Sequence, residues 1–239
     1  ALDRLLDVVA LFDVGEFVAR VAEQLFGVGV LQAGLIGHDQ PAAEGLVLAT
    51  FAVDGDTVWV TNDGRVEQWS TTGKVASFAV PRPCGTMAIA EGSLWVANCK
   101  GGEIYRINLE TAALEATIPS GIANAKGETN VVSGAGSIWI ASDPAGKVAR
   151  IDPATNAVVA TIPVAPETWY LAYGFDALWA VSSEGKVLQR IDPATNTVTG
   201  TVALGDTPGF LAAGEGAVWV QEQGDGTVAK VDPSTLKLA

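Results

Sequence analysis

Histidine and cysteine are scarce in this chain of 239 residues, which has one histidine, His38, and two cysteines, Cys84 and Cys99. A single histidine cannot supply a histidine-rich zinc site, and it leaves little room for a Ser-His-Asp or Cys-His nucleophile system or a histidine general base. The composition therefore disfavours most familiar enzyme chemistry, and we expect no cofactor and no metal.

Positive charge is also in short supply, because 14 Lys and Arg stand against 27 Asp and Glu, for a net charge of −13. Such a balance argues against binding to a nucleic-acid backbone.

Long apolar runs are missing as well. The longest uncharged stretch that we note in the N-terminal part, Gln24 to Gly37, has 14 residues, whereas a membrane-spanning helix needs roughly 20. We therefore expect no transmembrane span.

Tryptophan, by contrast, recurs at a regular interval. The spacings between successive members are 36, 44, 40 and 40 residues, and each member lies in a similar phrase such as GSLWVAN or GSIWIAS. The recurring residues are Trp59, Trp95, Trp139, Trp179 and Trp219. A fixed period near 40 residues indicates internal repeats. We expect these tryptophans to pack between repeats rather than to stack on a ligand.

Each repeat contains four strand-like stretches. Apolar and polar residues alternate, and a turn signal such as Asp152-Pro153 follows thirteen residues after four of the five tryptophans. In the third repeat the predicted strands are Val131 to Gly134, Ile138 to Ser142, Lys147 to Asp152 and Ala157 to Pro163. A four-stranded sheet cannot bury both of its faces alone, and radial stacking solves that problem. The sequence therefore predicts an all-β protein, a β-propeller of four-stranded blades.

Two repeats resemble a known family. The stretches IDPATNAVVATIPV (Ile151 to Val164) and IDPATNTVTGTVAL (Ile191 to Leu204) resemble the YVTN-type repeats of bacterial β-propellers, and LWVAN-like strands resemble the virginiamycin B lyase-like branch of that group. The resemblance covers about Leu46 to Ala239. It implies the propeller fold in families that include extracytoplasmic binding, sensor and surface proteins as well as enzymes.

The resemblance does not imply lyase activity. Virginiamycin B lyases use histidines with a glutamate and a magnesium ion in the central site, and no repeat of this chain contains a histidine. No catalytic residue of the family therefore maps onto the sequence.

The chain divides into two parts, residues 1–45 and the repeats of residues 46–239. In the first part, Leu2, Leu5 and Leu6 begin an apolar stripe at helical spacing, which predicts a short helical segment. Propellers of these families commonly have six or seven blades, whereas five repeats are present. Two interpretations stay open, an incomplete propeller and a five-bladed ring closed by an N-terminal clasp.

Ligands usually bind a propeller on the face where the blade-joining turns meet the loops between the second and third strands. The candidate binding residues on that face are Arg82, Lys100, Glu128, Asn130, Asp143, Glu167, Trp169 and Tyr170. Arg65 and Glu222 belong to the same face. Trp169-Tyr170 is the least repeat-like aromatic feature, and it suits either packing or a ligand platform.

Two functions from different classes follow. The first is a non-catalytic, extracytoplasmic binding or scaffold module for an unidentified protein or small-molecule ligand. The second is a metal-assisted lyase or hydrolase, in which Glu128, Asn130, Asp143 and Glu167 would supply oxygen ligands. The second requires several carboxylates to meet at the central channel.

The two cysteines predict a disulfide. If Glu91-Gly92 is a two-residue turn, Ala90 pairs with Ser93, and the numbers of paired residues sum to 183, which is also the sum for Cys84 and Cys99. The alternative is a pair of reduced thiols. A metal site is disfavoured because only two sulfurs and no nearby histidine are available. A disulfide would indicate a periplasmic, secreted or cell-surface location.

Overall fold

The computed structural model describes residues 51–62, 64–122 and 129–239, without the side chains of Phe51 and Asp143. All regular structure in these ranges is β-strand, which confirms the all-β prediction. The predicted helical segment of residues 1–45 lies outside the described residues. No helix in the described ranges is long and apolar enough to cross a membrane.

The strands form five blades in chain order. Blade 1 comprises β1 (Phe51–Asp54), β2 (Thr57–Asn62), β3 (Arg65–Ser70) and β4 (Gly73–Ala79); blade 2 comprises β5 (Pro83–Ala90), β6 (Ser93–Asn98), β7 (Glu103–Asn108) and β8 (Leu114–Pro119); blade 3 comprises β9 (Asn130–Gly134), β10 (Ser137–Asp143), β11 (Lys147–Asp152) and β12 (Ala157–Pro163). Blade 4 comprises β13 (Thr168–Gly174), β14 (Ala177–Ser182), β15 (Val187–Asp192) and β16 (Thr197–Ala203); blade 5 comprises β17 (Pro208–Gly214), β18 (Ala217–Glu222) and β19 (Thr227–Val231).

Every blade is an antiparallel meander in which neighbours in sequence are neighbours in the sheet. The strands of blade 3 agree with the sequence prediction to within one residue at each end. Blades follow one another in space as in sequence, because the innermost strands β1, β5, β9, β13 and β17 contact each other in that order. The predicted propeller architecture is confirmed.

An apolar cluster fills each junction between successive blades. Trp139, for example, shares a cluster with Leu178 and Ala180 of blade 4. Four of the repeated tryptophans are fully buried in this way: Trp59, Trp95, Trp139 and Trp179. Burying side chains of this size contributes strongly to the packing of a domain, so the predicted packing role of these four residues is confirmed.

The indole N–H groups have a repeated partner. Trp139 donates to the carbonyl oxygen of Gly134 at 2.9 Å, and Trp95, Trp179 and Trp219 donate to the carbonyl five residues before them in the same way. Trp59 is the exception among the described residues, because its Nε1 is buried without a hydrogen-bond partner.

Blade 5 presents an open side. Its Trp219 is half-buried, and Val228 is 62% exposed, whereas Val148 at the equivalent position of blade 3 is fully buried. Lys230 Nζ lies 5.3 Å from the centroid of the Trp219 ring. The face of blade 5 that corresponds to the packed faces of blades 1–4 is therefore largely exposed.

Arginine side chains connect blade 2 to blade 3 and blade 3 to blade 4. Arg150 stacks over Trp139, with Cζ 4.8 Å from the ring centroid, and donates to the Pro193 carbonyl at 2.6 Å and to Asn196 Oδ1 at 2.9 Å in the turn of the next blade. Arg106 makes the same set of contacts from blade 2 to Pro153 and Asn156 of blade 3. The Asp-Pro-Ala-Thr-Asn turns thus serve as docking points for the preceding blade.

A disulfide joins Cys84 to Cys99, with their Cα atoms 6.0 Å apart. The predicted pairing is confirmed, but the predicted register is wrong at this end of the hairpin. The numbers of paired residues sum to 183 from Ala90–Ser93 to Met87–Val96, and a bulge then shifts the register, so that Cys84 lies opposite Ala97. The disulfide therefore links a diagonal pair.

The bulge in β5 lies at a contact with the next blade. The Thr86 N–H donates to the Thr129 carbonyl of blade 3 at 3.1 Å, and the Thr86 hydroxyl donates to the Val131 carbonyl at 3.0 Å. Gly85 has φ +68°, and a Cβ at this position would overlap the Thr129 carbonyl. Only glycine lets the two backbones approach this closely.

Candidate functional site

One face of the blades carries the turns that join successive blades and the loops between second and third strands. We call it the joining face. Backbone hydrogen bonds tie these segments together: the Ser183 N–H donates to the Glu167 carbonyl at 3.0 Å, and the Gln223 N–H donates to the Thr207 carbonyl at 3.0 Å. Because the same bond recurs in blades 4 and 5, the joining face has a repeated and well-anchored backbone.

The structure distributes the predicted site residues over the joining face. Arg82 and Lys100 are exposed beside the blade 2 disulfide. Asp143 ends strand β10, and its side chain is not described. Glu128 lies outside the described residues. Among the described side chains of this set, Glu167 and Trp169 contact each other, Tyr170 follows them in β13, and Asn130 lies on the preceding blade.

Asn130 holds two blades together. Its Oδ1 atom accepts a hydrogen bond from the Leu171 N–H of blade 4 at 2.9 Å, and the residue is 9% exposed. Thr86 occupies the equivalent position of blade 2, and its hydroxyl accepts the Val131 N–H at 2.7 Å. This shared pattern gives Asn130 a structural role that the sequence prediction did not anticipate.

Glu167 and Trp169 form a local pair at the start of β13. The Trp169 Nε1–H donates to Glu167 Oε2 at 2.7 Å, and both residues are half-buried. Glu167 has a positive φ of 55°, but Thr207 at the equivalent position of blade 5 has φ 48°. The left-handed conformation is therefore a feature of the joining turn and not a strain particular to Glu167.

Tyr170 stacks on Phe210, a residue that the sequence analysis missed. The ring centroids are 4.6 Å apart, with the planes tilted by 50°. Tyr170 is half-buried, whereas Phe210 is 55% exposed. The two residues occupy equivalent positions, as alignment of TWYLAYG with PGFLAAG shows, and that alignment is the sequence signal that could have identified Phe210.

Bulges at the start of the innermost strands place these aromatic residues. The register of β13 against β14 shifts between Thr168 and Tyr170, and that of β17 against β18 shifts between Pro208 and Leu211. Bulges of this kind reorient side chains at the end of a strand. The Tyr170–Phe210 pair therefore lies where β13 and β17 begin, directly after the joining turns.

Carboxylates concentrate at the blade 4 and blade 5 end of the joining face. Glu222 Oε1 accepts the Gly205 N–H at 2.5 Å, and Asp225 Oδ2 accepts the Asp206 N–H at 2.6 Å. Asp206 Oδ1 also accepts a hydrogen bond from Lys186 Nζ at 2.7 Å. This hydrogen bond and the charge of Lys186 lower the pKa of Asp206, and the same contact raises the pKa of Lys186.

The opposite end of the face carries cations. Arg82 and Lys100 are exposed, and Arg65 Nε donates to Glu67 Oε1 at 2.7 Å. Burial by itself would raise the pKa of Glu67, but hydrogen bonds from Arg65 and Trp69 and the charge of Lys74 outweigh it, so the pKa lies below its ordinary value. Exposed Arg82 and Lys100 thus lie toward blades 1 and 2, where Glu103 begins β7, and exposed carboxylates concentrate toward blades 4 and 5.

Metal-ligand geometry is not found in the described ranges, where no three His, Cys, Asp or Glu side chains are placed to share one ion. Of the four residues that would hold a metal in the alternative function, Asn130 and Glu167 each have one oxygen engaged by a neighbour. Glu128 and the Asp143 side chain lie outside the description.

A cleft opens on the other face, between blades 2 and 3. Its volume is about 210 Å³, and it is lined by Ala90, Glu91, Ser133, Gly134, Gly136, Ser137 and Pro153. The equivalent junction between blades 3 and 4 is filled, because Tyr173 packs against Gly134 there. Ser133 occupies the position of Tyr173 in blade 3, so the smaller side chain leaves the cleft open.

Comparison with known proteins identifies the fold. No protein-family model matches the chain, and no curated protein matches it. Among solved structures, virginiamycin B lyase from Staphylococcus aureus is similar with a TM-score of 0.69 and 16% identity over 80% of this chain and 68% of the lyase. A streptogramin B lyase has a TM-score of 0.66 and 16% identity, covering 79% of this chain and 66% of that one.

A third similar structure, BamB from Moraxella catarrhalis, has a TM-score of 0.60 and 15% identity, covering 74% of this chain and 56% of BamB. The chain thus spans about two thirds of the lyase structures and just over half of BamB. These likenesses agree with the virginiamycin B lyase-like β-propeller expected from the repeats, and at this level of identity they show the fold alone.

Proposed function

We propose that this chain is a non-catalytic, extracytoplasmic β-propeller that binds or scaffolds a partner through the joining face. The observation that carries the proposal is that polar side chains on that face hold the backbone of the joining turns and of the next blade through hydrogen bonds. Asn130 holds Leu171, and Glu222 and Asp225 hold the backbone of the joining turn between blades 4 and 5. Polar groups that fix turns in place favour a preorganised recognition surface.

The charge distribution supports recognition. Exposed Arg82 and Lys100 lie at one end of the joining face, and Asp206 and Asp225 are exposed at the other. A surface with separated charges orients a complementary partner and sets binding specificity. We therefore expect the charges of this face to fix both the orientation and the position of a bound partner.

The disulfide supports the proposed location. Cys84 and Cys99 are bonded in the fold, and disulfides form and persist in oxidising compartments such as the periplasm or the cell exterior. Reducing conditions in most cytosols would keep such a pair as thiols.

A second candidate is a metal-assisted lyase or hydrolase. The specific observation in its favour is the structural likeness to virginiamycin B lyase and streptogramin B lyase. Glu167 is the described carboxylate that would take part, and Trp169 already donates to one of its oxygens.

An assay for turnover separates the two candidates. The purified full chain is incubated with a streptogramin B antibiotic and Mg²⁺, and loss of the intact lactone is followed by chromatography. We expect no loss above that of a protein-free sample. Turnover that Glu167→Gln abolishes, with thermal unfolding unchanged, would overturn the proposal in favour of the enzyme.

A further inference from the structure

We propose that residues 1–45 pack against the side of blade 1 that faces away from blade 2, and so cap the first blade of the series. We call this side the leading side of blade 1. Residues 1–45 lie outside the described residues, and their sequence pattern predicts a short amphipathic helical segment.

The burial of the leading side is the first observation. Val58 and Val60 flank Trp59 in β2, and their exposed fractions are 0% and 6%. Because Trp59 packs into the junction with blade 2, its two neighbours point to the opposite side of the sheet. Ile138 and Ile140, the equivalent pair of blade 3, are buried in the cluster shared with blade 2, whereas no described blade precedes blade 1. The first blade of the series therefore has the burial of a blade with a neighbour on both sides.

Blade 5 shows what an uncovered side looks like in the same fold. Its side away from blade 4 carries Trp219, which is half-buried, and Val228, which is 62% exposed. Their equivalents Trp139 and Val148, in a blade with a following neighbour, are fully buried. Because this side of blade 5 is open, blade 5 does not cover blade 1, and the burial of the leading side requires another occupant.

The charge of the leading side is the second observation. Glu67 occupies the position of Ala149 in blade 3, its side chain is 2% exposed, and it accepts hydrogen bonds from Arg65 Nε at 2.7 Å and from Lys74 Nζ at 3.4 Å. The side chains of Arg65 and Lys74 stay 47% and 49% exposed. Two cations therefore stand against one carboxylate, and the leading side attracts an acidic segment.

The N-terminal segment has the complementary charge and pattern. Residues 1–45 contain seven Asp and Glu against two Arg, for a net charge of −5. Leu5 and Leu6 belong to an apolar stripe at helical spacing, and Asp3 lies at the edge of that stripe. A helix of this kind places apolar side chains over the buried valines and carboxylates toward the two cations of blade 1.

The connection to β1 favours blade 1 over blade 5. Residues 46–50 are the whole link between the segment and Phe51, where β1 begins. Five residues span at most about 18 Å when fully extended. The end of the segment therefore stays close to blade 1, while the open side of blade 5 belongs to the other end of the series.

Zero-length cross-linking of the oxidised full chain with a carbodiimide tests the proposal. Lys74 on the leading side and Lys230 on the open side of blade 5 are matched lysines, since each lies over a tryptophan ring, at 5.9 and 5.3 Å from its centroid. We expect peptide mass spectrometry to find carboxylates of residues 1–45 joined to Lys74 about tenfold more often than to Lys230, because a docked segment has a high effective concentration. A mixture of isotope-labelled and unlabelled protein distinguishes cross-links within one chain from those between copies.

Two cysteine reporters measure whether the leading side is covered in solution. Val60→Cys places a thiol on the leading side, and Val228→Cys places one on the open side of blade 5, while the native disulfide stays oxidised. We expect a maleimide to label position 60 at least about tenfold more slowly than position 228, because burial limits the access of the reagent to the thiol.

Matched variants of the segment test the apolar stripe. Leu5→Asn with Leu6→Asn should raise the labelling rate at position 60 about tenfold. Arg4→Asn with Asp7→Asn changes two residues on the opposite side of the helical pattern and should leave the rate unchanged. Both double variants keep the net charge of the chain, and thermal unfolding reports whether each keeps the fold.

Several outcomes overturn the proposal. Absence of the Lys74 cross-link, cross-links confined to Lys230, or cross-links found only between copies would each place the segment elsewhere. Labelling of position 60 as fast as position 228 in the otherwise unchanged chain would show that the leading side is open. Equal labelling rates in the two double variants would show that another part of the protein covers it.

Discussion

At the scale of single residues, the arginine clamps differ in a way that can be measured. Arg150 reaches Pro193 and Asn196 of the next blade. Arg190 stands at the equivalent position of blade 4, but its Nη1 donates to Thr199 of its own blade at 3.0 Å. Leu236 occupies the position of Asn196 in the turn of blade 5, so the acceptor for an inter-blade clamp is replaced by an apolar side chain.

Arg150→Ala should lower the free energy of unfolding by about 2 to 3 kcal/mol, because hydrogen bonds to a charged group and a cation–π contact are lost together. Arg190→Ala, the matched control, should lower it by less than about 1 kcal/mol. Urea titration followed by tryptophan fluorescence measures both values. Equal losses would contradict the inter-blade role of Arg150.

At the scale of the elements, packing between blades decides whether a substitution at a given strand position lowers the stability of the protein. Val148 in β11 is fully buried in the junction between blades 3 and 4. Val228 in β19 occupies the same place in the repeat and is 62% exposed. Identical side chains in equivalent strands therefore differ only in whether a blade covers them.

Val148→Asp should destabilise the protein by at least about 3 kcal/mol, since it places an unpaired carboxylate in an apolar junction. Val228→Asp should change stability by less than about 1 kcal/mol, as expected for an exposed position. Soluble expression and thermal unfolding of the two variants provide the comparison. A large loss with Val228→Asp would show that the exposed side of blade 5 is covered in solution.

At the scale of the whole molecule, the disulfide links stability to location. Cys84 lies in the innermost strand β5, Cys99 follows β6, and the Thr129 hydroxyl of blade 3 lies 3.1 Å from Cys99 Sγ. The cross-link therefore fixes the hairpin beside exposed Arg82 and Lys100, near the junction with blade 3. It closes a short loop, because only 15 positions separate the two cysteines.

Replacing both cysteines by serine should cost about 2 to 3 kcal/mol of stability through the loss of this short cross-link. The oxidised wild-type protein with and without reductant is the control, and the reduced form should lose a similar amount. Mass spectrometry of freshly isolated native protein, alkylated without reduction, tests the location. Two alkylated cysteines would reject both the bond in vivo and the extracytoplasmic assignment.

Several features of the protein were determined by contiguous sequence alone. The alternation of apolar and polar residues, the tryptophan period and the Asp-Pro turns predict the strands of blade 3 to within one residue, because each is set by neighbours along the chain. The hairpin between Cys84 and Cys99 is short enough to bring the two cysteines near each other, although the exact register that was predicted for them is wrong.

Other features were decided only by the tertiary structure. The bulge before Met87 lies where β5 approaches blade 3, and it shifts the register of Cys84; the bulge before Leu211 lies beside the contact of Phe210 with Tyr170. Asn130 has a structural role because its Oδ1 atom accepts a hydrogen bond from the Leu171 N–H of the next blade. Contacts between residues about 40 positions apart depend on how blades stack, and local periodicity carries no information about that geometry.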